Sequence, residues 1–233
     1  MQIDVLNSGS DGNGYVIHTQ TECLLIECGV KAREMLKAVN FNVVNISGCI
    51  VSHAHMDHIK YLSEYLKYGF QIYMTPETSG IETRISEMKR MSVQKIGGFE
   101  VVPFQVPHNE TACDGFIIKH TEFGTLLFLT DAEMCPYDLS RLGINHVLVE
   151  CNYSLDYLEV TDANKVHVLR GHMELQTTKR LLQAIYSPSL HSIGLIHLSS
   201  VNADPERFQR EIQDAFPSVK VWVAKKNHKE VFT

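Results

Sequence analysis

The chain has 233 residues, 44% of them hydrophobic and 21% charged, and a formal net charge of −6. Those figures suit one domain with a sizeable core and exclude disordered, collagenous and disulfide-stapled classes. Lys plus Arg total 21 against 27 Asp plus Glu, a balance that argues against a long passive grip on DNA; a small anionic substrate stays open, because a bound metal can supply positive charge.

The apolar pattern predicts strands at Ile3–Leu6, Tyr15–His18 and Cys23–Glu27, separated by SGSDGNG and TQTE. A helix is expected over Lys31–Val39, a buried strand over Gly48–Ser52, and a helix over Asp57–Tyr68 with Ile59, Leu62, Tyr65 and Leu66 at helical spacing. A strand at Gln71–Met74 precedes an expected helix over Pro76–Met91, with Pro in its first turn. Strands then cluster at Phe99–Val106, Gly115–His120, Thr125–Leu129 and His146–Glu150. The last third alternates: helix Glu174–Tyr186, strand Ile193–Leu198, helix Asp204–Phe216, strand Lys220–Ala224. Strand-rich halves each closed by helices predict two packed sheets with helices outside. No linker or low-complexity tract interrupts the chain, so residues 1–233 are expected to form one domain.

No apolar run approaches the ~20 residues that span a bilayer. The opening MQIDVLNSGSDGNG has no basic segment followed by an apolar stretch, so no signal peptide is expected. Cys23, Cys28, Cys49, Cys113, Cys135 and Cys151 form no CxxC pair, and several lie in apolar runs such as LLIECG. They are expected to be small buried hydrophobes in a reducing cytoplasm. The Lys225–Lys229 stretch is expected to be a solvated terminus, and SGSDGN a tight turn.

Histidine is unusually frequent, at twelve. In Ser52-His53-Ala54-His55-Met56-Asp57-His58, four candidate metal ligands fall directly after an apolar strand. Residues two apart on an extended segment point the same way, so His53 and His55 can share one ion. Asp57 and His58, where the chain turns into a helix, can reach a second. His108 after VVPFQVP, Asp131 after TLLFLT and His197 after SIGLI also stand at strand ends. Singly these could be a turn residue, a helix cap and a core histidine; beside the clustered motif they read as ligands gathered on one rim. His18, His120, His146, His167, His191 and His228 lack ligand spacing and receive no role.

At these residues the chain resembles the metallo-β-lactamase-fold hydrolases, whose HxHxDH signature matches His53-Ala54-His55-Met56-Asp57-His58. That resemblance implies an αββα sandwich, agreeing with the alternation above, and it points to the dinuclear phosphodiesterase branch. It implies His53, His55 and His108 on the first metal, Asp57, His58 and His197 on the second, and Asp131 between them. The second site has no cysteine ligand, unlike that of some lactamases. The opening NSGSDGNGYVI…LLIECG is similar to that of YycJ/WalJ-type proteins and the related tRNase Z and anti-Pycsar phosphodiesterases. Glu27 stands where many members have Asp. The run Gly171-His172-Met173-Glu174 resembles the loop that carries a phosphate-contacting, proton-donating histidine, with Met173 in place of the usual small Ser or Thr.

Two divalent ions about 3.5–4 Å apart would hold a bridging hydroxide for in-line attack on phosphorus. Asp57 would ligate and orient the nucleophile, and His172 would protonate the leaving alkoxide. Imidazole and carboxylate ligands suit Zn²⁺, with Mn²⁺ a second choice. The first substrate expectation is a cyclic mononucleotide (cCMP or cUMP, with cAMP and cGMP also considered), the chemistry of a phage anti-Pycsar protein acting in its host's cytoplasm. The alternative is a YycJ-like or tRNase Z-like nuclease on DNA or RNA; glyoxalase-type thioester hydrolysis and a non-enzymatic binding role stand behind these. The chain supplies little obvious lid, so a homodimer is expected, with Asn152–Val160 as the segment covering the neighbouring site.

Overall fold

The computed structural model describes residues 1–79, 84–158 and 165–232. The elements in the first half are β1 (Gln2–Asn7), β2 (Gly14–His18), β3 (Cys23–Ile26), α1 (Ala32–Ala38), β4 (Ile46–Ile50), α2 (Met56–Ile59) and α3 (Leu62–Lys67). They continue with β5 (Ile72–Met74), α4 (Pro76–Ser79), β6 (Ser86–Glu87), β7 (Gln94–Ile96), β8 (Phe99–His108), β9 (Thr111–His120) and β10 (Gly124–Leu129). The last third holds β11 (His146–Glu150), α5 (Lys165–Gly171), α6 (Leu175–Ile185), β12 (Ser192–Ile196), α7 (Pro205–Ala215), β13 (Lys220–Val223) and β14 (His228–Val231).

Among the described residues fourteen strands make two seven-stranded sheets, ordered β14-β1-β2-β3-β4-β5-β6 and β13-β12-β11-β10-β9-β8-β7. Both sheets are mixed. Side chains alternate between two apolar layers, which is why the central strands read as continuous hydrophobic runs. In β10, Leu126 and Phe128 join the layer between the sheets, where they meet Tyr15, Ile17 and Leu24; Leu127 and Leu129 face outward to Leu182, Phe208 and Ile212. On the other sheet, Val16, Leu25 and Cys49 pack with Met35, Leu36 and Tyr65 of the helices. This is the αββα layering expected from the sequence. Among the described residues no helix is long and apolar enough to cross a membrane.

Strand direction places the site. β3 and β4 are parallel, as are β10, β11 and β12. β8 reaches β10 through two antiparallel pairings and so runs the same way. The carboxyl ends of all these strands therefore open on one rim.

Three sequence expectations change. The helix over Asp57–Tyr68 is split into α2 and α3, because the Tyr61 amide donates to the Cys28 carbonyl at 3.0 Å instead of continuing the helical ladder. The helix over Pro76–Met91 is replaced by the short α4 and by β6, which pairs in parallel with β5; residues 80–83 of that span lie outside the described set. Extension there completes the open edge of β5 and lets Arg90 Nε donate to the buried Asp114 carboxylate at 2.6 Å. The Lys225–Lys229 stretch is no loose terminus: β14 pairs antiparallel with β1, and Lys229 Nζ meets Asp4 Oδ2 at 3.0 Å.

Candidate metal centre

His53 and His55 leave the end of β4 in extended backbone, and His58 returns on α2. β8 ends on His108, Asp131 follows β10, and His197 follows β12. His53, His58, His108, Asp131 and His197 are buried, with Asp57 and His55 partly exposed. Three sets of donor atoms each lie within 4.8 Å of one another among the described residues: His53, His55 and His108; Asp57, His58, Asp131 and His197; and Asp131, Glu150, His172 and His197. All seven ligand candidates named from the sequence fall in these sets, with Asp131 beside Asp57, His58 and His197 and again beside Glu150 and His172.

The side chains are held as ligands need to be. His108 Nδ1 donates to the Gly171 carbonyl at 2.6 Å, leaving Nε2 as the electron-pair donor, 3.1 Å from His55 Nδ1. His53 Nδ1 sits 2.9 Å from Ser52 Oγ, while its Nε2 is buried without a hydrogen-bond partner. An orphaned buried imidazole nitrogen is costly unless something fills the space it faces. Asp131 Oδ2 lies 3.3 Å from His53 Nε2 and 2.7 Å from His58 Nε2, and Oδ1 lies 2.9 Å from His197 Nδ1. One carboxylate therefore faces both groups. Imidazole and carboxylate donors at this spacing fit a pair of divalent cations.

Electrostatics separates the groups. Burial pushes the imidazoles of His53, His55 and His108 below the ordinary histidine range, which favours the neutral, ligating form. For His58 burial opposes protonation, but Glu27 and Asp131 outweigh it and raise it well above the usual value. His197 behaves likewise under Asp131, Asp57 and Glu150. Burial disfavours the Asp57 charge, yet hydrogen bonds from His197 and His58 hold its carboxyl far below the carboxylate range.

Sequence reasoning missed four supporting residues. Glu150, at the end of β11, accepts at Oε1 from His172 Nδ1 (2.7 Å) and contacts His197 Nδ1 (3.0 Å). Its Oε2 takes the amides of Ala132 at 3.0 Å and Met173 at 3.1 Å. Asn13, from the SGSDGN turn, donates to Asp57 Oδ2 at 3.2 Å and lies 3.0 Å from His58 Nε2. Asn152 Nδ2 donates to the His197 carbonyl at 2.8 Å. His167, given no role from sequence, lines the cavity. Glu27, noted for replacing Asp, is fully buried with Oε1 3.3 Å from His58 Nδ1.

A cavity of about 520 Å³ opens over the cluster, with His172, His197, Asn152, Ser10, Ser199 and Ser200 in its wall. No Lys or Arg among the described residues lines it. His172 contributes Nδ1 to Glu150 and Asp131; burial would lower its pKa, but these carboxylates raise it to about 9. In the segment expected to act as a lid, Tyr153 is buried in its own chain by a bridge to Glu174, whereas Leu155 and Tyr157 are exposed. Its last two positions, 159 and 160, lie outside the described residues.

Comparison with known proteins agrees with the fold. A family model described as anti-Pycsar protein Apyc1 matches residues 8–82, the part that carries the SGSDGN turn, Glu27 and the histidine motif. The exodeoxyribonuclease YycJ of Bacillus anthracis is 29% identical over 222 residues, spanning 87% of this chain and 84% of its own. The metallo-β-lactamase-fold protein YhfI of Bacillus subtilis superposes with a TM-score of 0.76 at 17% identity over 98% of each chain. Human tRNase Z, short form, gives 0.69 at 17% identity over 99% of each. The chain has the metallo-β-lactamase fold, and it resembles the hydrolases of the anti-Pycsar, YycJ and tRNase Z group.

Proposed function

We propose that the chain is a two-metal phosphodiesterase that opens small cyclic mononucleotides, of the cCMP and cUMP kind first and cAMP or cGMP second. The observation that carries this reading is the 520 Å³ cavity, which has room for one nucleotide and no lysine or arginine to track further phosphates. His53, His55 and His108 would hold one ion and Asp57, His58 and His197 the other, with Asp131 shared. Zn²⁺ fits the donor set best, then Mn²⁺. Bound there, two divalent ions supply Lewis-acid charge neutralisation at phosphorus and an activated water.

The chain's own residues do the rest. Asn13 holds Asp57 so that its carboxylate can orient the nucleophile. Glu150 anchors His172 through Nδ1 and favours its protonated form, placing a proton donor in the cavity wall for the leaving oxygen. Hydrolysis would silence a cyclic-nucleotide signal in the cytoplasm, the host's if the chain is phage-encoded; six free cysteines suit that reducing compartment. Exposed Leu155, Tyr157 and Val201 support a homodimer closing over the cavity; light scattering tests this, and a monomer with full turnover would refute it.

A second reading, an exonuclease acting on DNA or RNA ends, is favoured by the 29% identity to YycJ across most of both chains. Zn²⁺- or Mn²⁺-loaded protein should be incubated separately with cyclic mononucleotides, bis-p-nitrophenyl phosphate, and single-stranded DNA and RNA. Faster turnover of strand ends than of cyclic nucleotides would overturn the first reading and establish the second.

A further inference from the structure

His167 lies on the exposed side of α5 and reaches the same cavity as His55, His108 and His172. Its ring stands edge-on to that of His172, with centroids 5.9 Å apart and planes at 76°. Asn109 Nδ2 donates to His167 Nδ1 at 3.2 Å. A neutral imidazole that accepts at one nitrogen carries its proton on the other, so Asn109 sets His167 as an Nε2–H donor. Among the described residues no partner takes that Nε2.

The arrangement around Asn109 is specific. It follows the ligand candidate His108 and adopts φ +48°, a left-handed conformation that asparagine tolerates better than most residues. Its amide donates to the Arg170 carbonyl at 2.9 Å. Gly171 makes the room: a Cβ there would come within 2.3 Å of Asn109 Nδ2. The β8–β9 turn is thereby stitched to α5, and the stitch ends on an unpaired donor in the cavity wall.

We propose that His167, held by Asn109, is a specificity-determining residue that donates from Nε2 to an acceptor oxygen on the nucleoside part of the substrate, which stays attached to phosphorus when the ring opens. This rests on the phosphodiesterase reading above. With His172 facing the leaving oxygen, the His167 ring lies one ring further along the wall, where the sugar or base of that alcohol would extend. The cavity wall offers the hydroxyls of Ser10, Ser199 and Ser200 besides, and no lysine or arginine among the described residues. Neutral donors beyond His172 suit a nucleoside, whereas a second phosphate would find no lysine or arginine to pair with.

The test uses the full chain loaded with Zn²⁺. Long-range proton–nitrogen NMR should show wild-type His167 as the Nε2–H tautomer, and Asn109→Asp should reverse it, since a carboxylate takes the proton of Nδ1. His167→Leu should raise KM for cyclic nucleotides about three- to tenfold, the worth of one neutral hydrogen bond. Its kcat should fall by less, its metal content should equal wild type, and His167→Gln, which keeps an N–H donor, should recover most of the loss. An Nδ1–H tautomer in wild type, or the same loss on bis-p-nitrophenyl phosphate as on nucleotides, would overturn the proposal. If wild type turns over no cyclic nucleotide, the proposed function fails first. Titration with CMP then decides His167 alone: a shift of its Nε2–H supports the contact, and an unmoved resonance removes it.

Discussion

Gly29 is where three segments of the centre cross, so Gly29→Ala tests how the site is built. The Gly29 amide donates to the Asn13 carbonyl at 2.9 Å, and the Asn13 amide donates to the Asp57 carbonyl at 2.7 Å. A Cβ on residue 29 would fall 1.7 Å from the Asp57 oxygen and 2.5 Å from the Asn13 nitrogen. The first is roughly half of the ~3.3 Å at which even close C···O contacts occur. Both neighbours are backbone atoms and cannot rotate away. The crossing must open, and two buried amides lose good partners at about 1–3 kcal/mol each. With some overpacking strain, we expect a loss of roughly 3–6 kcal/mol, a large part of a typical domain's stability. Asp57 and Asn13 shift together, so metal content should fall below two ions per chain and turnover should vanish. Gly69→Ala is the control: its φ of +81° costs about 1–2 kcal/mol, but nothing lies within 4 Å of the added methyl. Urea unfolding with EDTA separates fold stability from metal binding, and elemental analysis counts the ions. A Gly29→Ala protein within about 0.5 kcal/mol of wild type, the scale of an ordinary surface change, and still holding two ions would refute the reasoning.

Asp131→Ala should lose metal and turnover together, because its two oxygens face both donor groups; two ions per chain at wild-type rate would remove it from the centre. His172→Ala should keep both ions and slow catalysis by about 10²–10⁴, the usual worth of a general acid. Loss of metal in that variant would instead make His172 a ligand. At the far end of β11, burial, His191 and the N-terminal amine lower the His146 pKa to about 4. Below the unfolded value of about 6.5 the unfolded chain takes up a proton that the folded chain refuses, so stability falls with pH by roughly 3 kcal/mol down to pH 4. His146→Gln should remove that slope while keeping a group for Ser192 Oγ, 2.8 Å away; a pH-independent difference from wild type would count against it.

The candidate metal ligands were legible because chemistry and local geometry coincide in them. His53, His55, Asp57 and His58 are contiguous, and His108, Asp131 and His197 each end an apolar run whose period betrays a strand. The same rule would have reached Glu150, which closes HVLVE as Asp131 follows TLLFLT. It escaped because ligand spacing was sought, while its partners His172 and His197 lie 22 and 47 positions away. Asn13, Asn152 and His167 left no such trace, since each acts through tertiary contacts to residues distant in sequence. Errors in the elements have a related cause. The apolar positions of 76–91 and the basic character of 225–229 say nothing of the open sheet edges that β6 and β14 complete.

What sequence conceals most thoroughly here is the turn by which each strand delivers its side chain. Glu27, Asn109, Asp131 and His197 all adopt positive φ, between 47° and 65° across Glu27, Asp131 and His197. Glycine in such places would have advertised the turn; Glu, Asp and His do not, and each costs on the order of 1–3 kcal/mol there. The surrounding fold imposes them. The Glu27 amide is taken by the Ile50 carbonyl at 2.9 Å, that of Asn109 by Arg170, and that of His197 by Ser8 Oγ at 2.8 Å. Ala132, just after Asp131, donates to Glu150. Reversing the backbone immediately after a buried strand aims its last side chain at the common space without a flexible loop between. The donor atoms are therefore set by sheet packing rather than by the ion, and the chain should fold to this arrangement with metal absent.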